Sequence, residues 1–264
     1  MPEELWHYAL YLAGGILAGG INTLSGGGNN LTFSIMLLLG LPANIANGTN
    51  RLGILIQNFW GSATFYRNGL LDLKIGLFLI PPSVMGAVWG AFVAVDIDVE
   101  LLENIVGGLM LLLIPTIFKK SKPKVKFGQR LPFWKRLLVW VAFLGIGFYG
   151  GLVQGGIALV IVPLLAEVVG MSFIRANAIK MLITLVYTLP VFGIFVAYGQ
   201  VDWWLAILLS VGQVIGTWIA TDFALNNPNA NKVARWLLAF MLTLTVIQIF
   251  DLWQWAVWAW EGIN

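Results

Sequence analysis

The 264-residue chain has no cysteine and one histidine, His7. Without cysteine there is no disulfide framework and no thiolate metal site. A single imidazole excludes a histidine-cluster metal centre, and no metal or other cofactor is expected. Charge is scarce at 10% of residues, against about 25% in a soluble domain. No GxxxxGK[ST] stretch occurs, so there is no P-loop to bind ATP. The first residues lack the basic run of a cleaved signal peptide, and none is expected. What abounds is apolar: 59% of the chain is hydrophobic and 13 residues are Trp, and the mean hydropathy is +0.86. Tryptophan favours the water–lipid interface. The composition is that of a protein buried in the bilayer. Its pI of about 9.2 reflects one basic stretch and does not indicate nucleic-acid binding.

The chain repeats itself with an offset of 130, since 150 − 20 = 130 for Gly150 and Gly20. The same offset pairs Gly15 with Gly145, Gly40 with Gly170, Asn47 with Asn177, Gly69 with Gly199, Asp72 with Asp202 and Gly86 with Gly216. Repeated halves in a hydrophobic chain suggest a transporter with its substrate site where the halves meet. The pattern predicts an all-α integral membrane fold of about ten helical segments. Five lie in each half: 7–23, 30–40, 43–66, 73–95 and 99–118, then 136–153, 157–169, 172–198, 203–223 and 232–259. The second segment of each half falls short of the roughly 20 residues that a span needs. The domains expected are a repeat over 1–118, a basic loop over 119–135 and a second repeat over 136–264.

Eight cations and no acid lie between Lys119 and Arg136, which places that loop on the cytoplasmic side. Counting back puts Glu3 and Glu4 outside, and counting forward puts the C-terminus outside, where Trp253, Trp255, Trp258 and Trp260 form an aromatic belt. An odd number of crossings per half makes the repeat inverted, with broken, short helices at the repeat interface. The expected location is the plasma (inner) membrane, multi-pass. Asp72 and Asp202 each precede an apolar run and read as helix N-caps. Glu167 and Asp222 read as interfacial, with a proton-carrying role as the alternative.

Two stretches carry the candidate chemistry. Asn22–Asn30 contains Ser25, Gly26, Gly27, Gly28, Asn29 and Asn30, and its counterpart contains Gln154, Gly155 and Gly156. Irregular backbone at membrane depth must be covered by protein or line a wet cavity. The short helix after each break would present its positive end to that cavity, which makes an anion site. Close helix packing on glycine is the competing reading. Arg51 and Lys180 fall inside predicted segments, where a cation costs about 2.5–3.5 kcal/mol and usually has a function. Snorkelling of Arg51 to the surface is the alternative. Asn47, Asn50, Asn177 and Gln57 sit near these cations, and Asn58, Thr184, Tyr187 and Thr188 follow; they line the same cavity or form a polar helix seam.

The repeated Gly-rich element (Gly14-Gly…Ser25-Gly-Gly-Gly28, and Gly150-Gly…Gln154-Gly-Gly156) precedes a small-polar element by about 20 residues. That element reads Ala46-Asn-Gly-Thr-Asn50 in one half and Ala176-Asn-Ala178 in the other, and Gly86-Ala-Val-Trp-Gly90 follows later in the first. In these motifs the chain resembles the sulfite exporter TauE/SafE (TSUP) family over nearly its whole length. The resemblance implies a transporter moving sulfite, sulfonates or related small organosulfur anions, usually outward. The second half departs from the pattern, with Ile157 and Ala158 at the positions of Gly27 and Gly28, and Ile179 at that of Thr49.

The reading is a secondary transporter with its anion at mid-membrane, held by the broken helices together with Arg51 and Lys180. A proton-coupled importer of similar anions and an anion channel are the alternatives. An intramembrane enzyme is disfavoured, because no acid pair, histidine cluster or nucleophile–base pair appears. The expected partners are the anion and the lipid bilayer, with homo-oligomer formation left open.

Overall fold

The computed structural model describes residues 2–95, 132–153 and 155–249. The expected segment 99–118, most of the basic loop, Gln154 and the four C-terminal tryptophans lie outside the described residues, as do the side chains of Glu167 and Lys135. The described residues form nine helices and no strand. In the first half these are α1 (Pro2–Leu24), α2 (Gly28–Leu38), α3 (Ala43–Arg67) and α4 (Leu73–Ala94). The second half holds α5 (Phe133–Leu152), α6 (Ile157–Val169), α7 (Phe173–Ala197), α8 (Trp203–Asn226) and α9 (Ala230–Ile249). Among the described residues, α4, α7 and α8 are long and apolar enough to cross a membrane.

The helix bounds follow the sequence offset. α3 and α7 begin 130 apart (173 − 43), as do α4 and α8 (203 − 73). The termini are set by local chemistry. The Asp72 carboxylate accepts from the backbone N–H groups of Lys74 and Ile75, and Asp202 does the same for Leu205, so both acids are N-caps as the sequence predicts. The Gly26 and Gly27 backbones stand at φ 88° and that of Gly156 at φ 74°. That left-handed geometry breaks the chain between α1 and α2 and between α5 and α6 at low cost only for glycine. α2 and α6 hold 11 and 13 residues, about 16 and 20 Å of helix, and stop short of a roughly 30 Å hydrocarbon core.

Packing crosses between the halves. α1 lies along α8 and α4 along α5, and these two seams are the most extensive in the bundle. Each pairs a first helix of one half with a fourth helix of the other. Gly15 meets Gly212, Gly19 meets Gln213 and Gly216 meets Gly20, while Gly86 and Gly90 meet the backbone of Leu144 and Phe148, and Gly147 and Gly151 that of Ser83 and Ala87. All four helices therefore bring a Gly-x-x-x-Gly stretch to a seam. A Cβ on Gly216 would overlap the Ile16 carbonyl, and one on Gly90 the Phe148 carbonyl. The missing side chains let the backbones touch, which drives helix association where lipid competes with any apolar side chain. Both seams run parallel, since contacts move up the two helices together.

The equivalent helices α3 and α7 run antiparallel. Gly61, late in α3, lies against Met181, early in α7, while Arg51 lies under Phe195. α3 is the least apolar of the described helices, yet Asn50, Arg51, Gln57 and Asn58 are all buried. Its polar face points into the bundle.

Candidate functional site

The two helix breaks meet at the centre of the bundle. Gly26 packs against Ala158, in the first turn of α6, and Asn30, in the first turn of α2, packs against Gly155. The N-termini of the two short helices thus converge. The first N–H groups of a helix have no partner within it, and they carry the positive end of its dipole. Gly28 sits directly on the Ala18 carbonyl, so α2 folds back tightly on α1.

The opposite, electronegative ends belong to α1 and α5, and each is closed from the other half. Arg51 is fully buried. Its Nη1 donates to the Gly150 carbonyl at 3.1 Å and its Nη2 to the Gly151 carbonyl at 2.6 Å, and Nη2 also reaches Asn47 Oδ1 at 3.2 Å. Asn47 Nδ2 donates to the Leu152 carbonyl at 2.9 Å. Lys180 is equally buried, and its Nζ donates to the backbone carbonyl and to Oδ1 of Asn22 at 3.1 and 3.2 Å. Asn177 Nδ2 donates to the carbonyls of Asn22 and Thr23. Subtracting 130 from Asn177 and Leu152 gives Asn47 and Asn22, so the two arrangements are equivalent. In each, an amide and a cation from a third helix satisfy the last carbonyls of the other half's first helix. Cations at helix C-termini are favoured by charge as well as by hydrogen bonding.

Snorkelling of Arg51 is overturned by its burial. Its guanidinium also stacks 4.7 Å from the Phe195 ring centroid, a geometry that attracts a cation. Lys180 has only neutral oxygens as hydrogen-bond partners among the described residues. Ser25, one of the candidate site residues, turns its hydroxyl to the carbonyls of Ile21 and Gly26.

Asn29, Asn50 and Gln57 gather in a second cluster with two residues that the sequence reading missed, Thr32 and Gln213. Asn50 Nδ2 donates to the Asn29 carbonyl at 3.3 Å, while its Oδ1 accepts from Thr32 Oγ1 at 2.9 Å and Gln213 Nε2 at 3.1 Å. Gln57 Nε2 donates to Asn29 Oδ1 at 3.3 Å. The Asn29 carbonyl can only accept, which fixes the Asn50 amide and, through it, that of Gln213. Gln213 Oε1 is buried without a hydrogen-bond partner among the described residues. The Gln213 amide lies over Gly53, where a Cβ would stand 2.6 Å from Oε1. The signal for Gln213 was its spacing: Ser210, Gln213 and Thr217 recur every three to four residues in an apolar helix, and Thr217 Oγ1 accepts from Thr23 Oγ1 at 3.1 Å.

The cluster is only partly repeated. At the positions of Asn29, Thr32 and Gln57 the second half carries Leu159, Val162 and Tyr187, all in the hydrophobic core, whereas Asn50 and Gln213 correspond to the buried Lys180 and Ser83. The departure at Ile157, Ala158 and Ile179 extends the same trend, since all three are also core residues.

Fold and site define a multi-pass helical membrane protein whose two halves meet at a pair of broken helices. The chain belongs to the sulfite exporter TauE/SafE family, whose model matches residues 11–249, and it is a membrane transporter. It is similar to the "Probable membrane transporter protein ORF9" of a Sinorhizobium species, at 27% identity over 228 residues, 85% of this chain and 86% of that one. It is also similar to a "Probable membrane transporter protein" of Haemophilus influenzae, at 24% identity over 79% of this chain and 81% of that one. A third relative is the "Probable membrane transporter protein YfcA" of Escherichia coli K12, at 23% identity over 94% of this chain and 92% of that one. No solved structure matches the chain.

Proposed function

We propose that the protein exports a small oxyanion, sulfite or a related organosulfur anion, bound where its two repeats meet. The observation that carries this reading is the convergence of the α2 and α6 N-termini. The electronegative ends of α1 and α5 are covered by Arg51 and Lys180, so the field left at the centre is positive. Backbone N–H groups at Gly27, Gly28 and Gly156, with the amides of Asn29 and Asn30, are the proposed donors; Gln154 and Gly155 are their neighbours in the second break. Arg51 and Lys180, oriented by Asn47 and Asn177, supply charge. The buried Lys180 ammonium, with only the neutral oxygens of Asn22 as hydrogen-bond partners among the described residues, is stabilised by an anion nearby. Asn50 and Gln57 form the polar wall on the first-half side.

The repeats, 1–118 and 136–264, are proposed to insert in opposite senses, joined by a cytoplasmic basic loop over 119–135. The antiparallel course of α3 and α7 supports this, because an inverted repeat requires equivalent helices to run oppositely. Reporters active only in the periplasm or only in the cytoplasm, fused at Asn264 and within the loop, are expected to place the C-terminus outside and the loop inside. The same side for both would remove the inversion.

Direction follows from energy. One elementary charge crossing 100 mV is worth about 2.3 kcal/mol. A dianion leaving a negative interior gains about 4.6 kcal/mol per 100 mV and needs no coupling ion; import would need at least two cations for each substrate. Liposomes loaded with sulfite, with potassium and valinomycin setting the voltage, are expected to empty faster when the lumen is made negative. A pH gradient alone should do little. If the pH gradient drives accumulation and voltage does nothing, the protein is a proton-coupled importer, and Glu167 and Asp222 are the acids to neutralise first. Unitary currents in a planar bilayer would instead mark a channel.

A further inference from the structure

Outside the central site, one cavity of about 220 Å³ is lined by Phe133, Arg136, Leu137 and Trp140, at the start of α5. Phe78 of α4 lies beside it, with its ring 6.1 Å from that of Trp140 and 5.6 Å from the Arg136 guanidinium. We propose that this cavity seats one anionic phospholipid, with its phosphodiester on Arg136 and an acyl chain along Leu137 and Trp140.

Three observations converge on a lipid. The guanidinium is exposed, and its only described interaction is the stack on Phe78. Its N–H fork is therefore open to a phosphate, which it binds in bidentate fashion. The rest of the lining is apolar and aromatic, which suits an acyl chain and the interfacial layer and gives a free inorganic anion nothing to bind. The edge is also basic. α4 and α5 start side by side, and exposed Arg67 and Lys74 end α3 and begin α4. Basic pockets between transmembrane helices on the cytoplasmic side attract acidic headgroups.

The repeat supplies an internal comparison. Subtracting 130 from Arg136, Leu137, Trp140 and Phe78's partner position 208 leads to Trp6, His7, Leu10 and the pair Leu208–Phe78. At the α1–α8 seam, then, tryptophan stands where the arginine is and leucine where Phe78 is. Of these two seams, among the described residues, only the α4–α5 edge has the cation and its aromatic support, so the seat is confined to one leaflet. Which leaflet rests on the orientation proposed above; the seat itself does not.

Native mass spectrometry of the detergent-purified protein, titrated with phosphatidylglycerol and with phosphatidylcholine, tests the seat. One phosphatidylglycerol is expected to be retained in preference to phosphatidylcholine. Arg136→Gln should weaken that retention roughly fivefold, the worth of about 1 kcal/mol for one cation at a lipid surface. Arg235→Gln should not, although Arg235 is an exposed cation stacked 5.0 Å from the Phe173 ring. Equal retention of both lipids, unchanged retention by Arg136→Gln, or equal loss with Arg235→Gln would overturn the proposal. So would displacement of the lipid by millimolar inorganic phosphate, which would make the site a free-anion site. If the reporter fusions reverse the topology but Arg136→Gln still loses the lipid, the seat stands and only its leaflet changes.

Discussion

Arg51→Ala is expected to lower the unfolding free energy by about 2–6 kcal/mol, from two buried carbonyls orphaned at about 1–3 kcal/mol each, and to abolish sulfite efflux from liposomes. The substitution leaves the carbonyls of Gly150 and Gly151 without the guanidinium that holds them, and a buried orphan acceptor costs about 1–3 kcal/mol. It also removes the stack on Phe195. Arg51→Lys should fall between Arg51→Ala and the parent, because an ammonium reaches one carbonyl and lacks the planar fork. Lys180→Ala should cost less, about 2 kcal/mol for one orphaned carbonyl group, since Asn177 also donates to the Asn22 carbonyl. Denaturant titration in mixed micelles gives the order. An Arg51→Ala protein as stable as the parent would show that the α5 end does not depend on the guanidinium.

Gly216→Leu and Gly90→Leu are each expected to cost about 3 kcal/mol or more, at the upper end for overpacking. The obstacle in both is backbone: the Ile16 carbonyl and the Gly20 amide for one, the Phe148 carbonyl for the other. A backbone cannot rotate aside, so the helices must separate along the whole seam. Gly145→Ala is the matched control, because nothing lies within 4 Å of its added Cβ. There the better helix propensity of alanine should give about 0.5–1 kcal/mol of stabilisation. Heat-induced loss of monodisperse protein in detergent reads all three. If Gly216→Leu behaves like Gly145→Ala, the α1–α8 seam is not held by backbone contact.

Much of this architecture is legible in the sequence because its causes are local. Glycines at positive φ announce the breaks before α2 and α6, and the apolar runs after Asp72 and Asp202 announce their caps. A cation deep in an apolar segment signals burial whatever its partner, so Arg51 and Lys180 stand out. The partners do not. Arg51 meets Gly150 across 99 residues and Lys180 meets Asn22 across 158, and no periodicity spans such distances. Reading the two cations as direct ligands therefore overlooked the helix ends that they cover. The seams were half visible: Gly86-Ala-Val-Trp-Gly90 stood out as a small-residue stretch, but the partner Gly147–Gly151 was absorbed into a reading of the break. Gln213 was passed over because one amide in an apolar span looks incidental until Asn50 and Gly53 are seen opposite it.

The reciprocal closure of α1 by Lys180 and Asn177 sets a timetable for biogenesis. When α1 enters the bilayer, the residues that will cover its last carbonyls are still untranslated. At about 5–20 residues per second, the ribosome needs roughly 8–30 s to travel the 158 residues from Asn22 to Lys180. Until then the last carbonyls of α1 need other donors, because bare carbonyls are not tolerated in lipid. A chain truncated between the repeats is expected to be degraded in the membrane, whereas the two halves made as separate polypeptides are expected to complete each other.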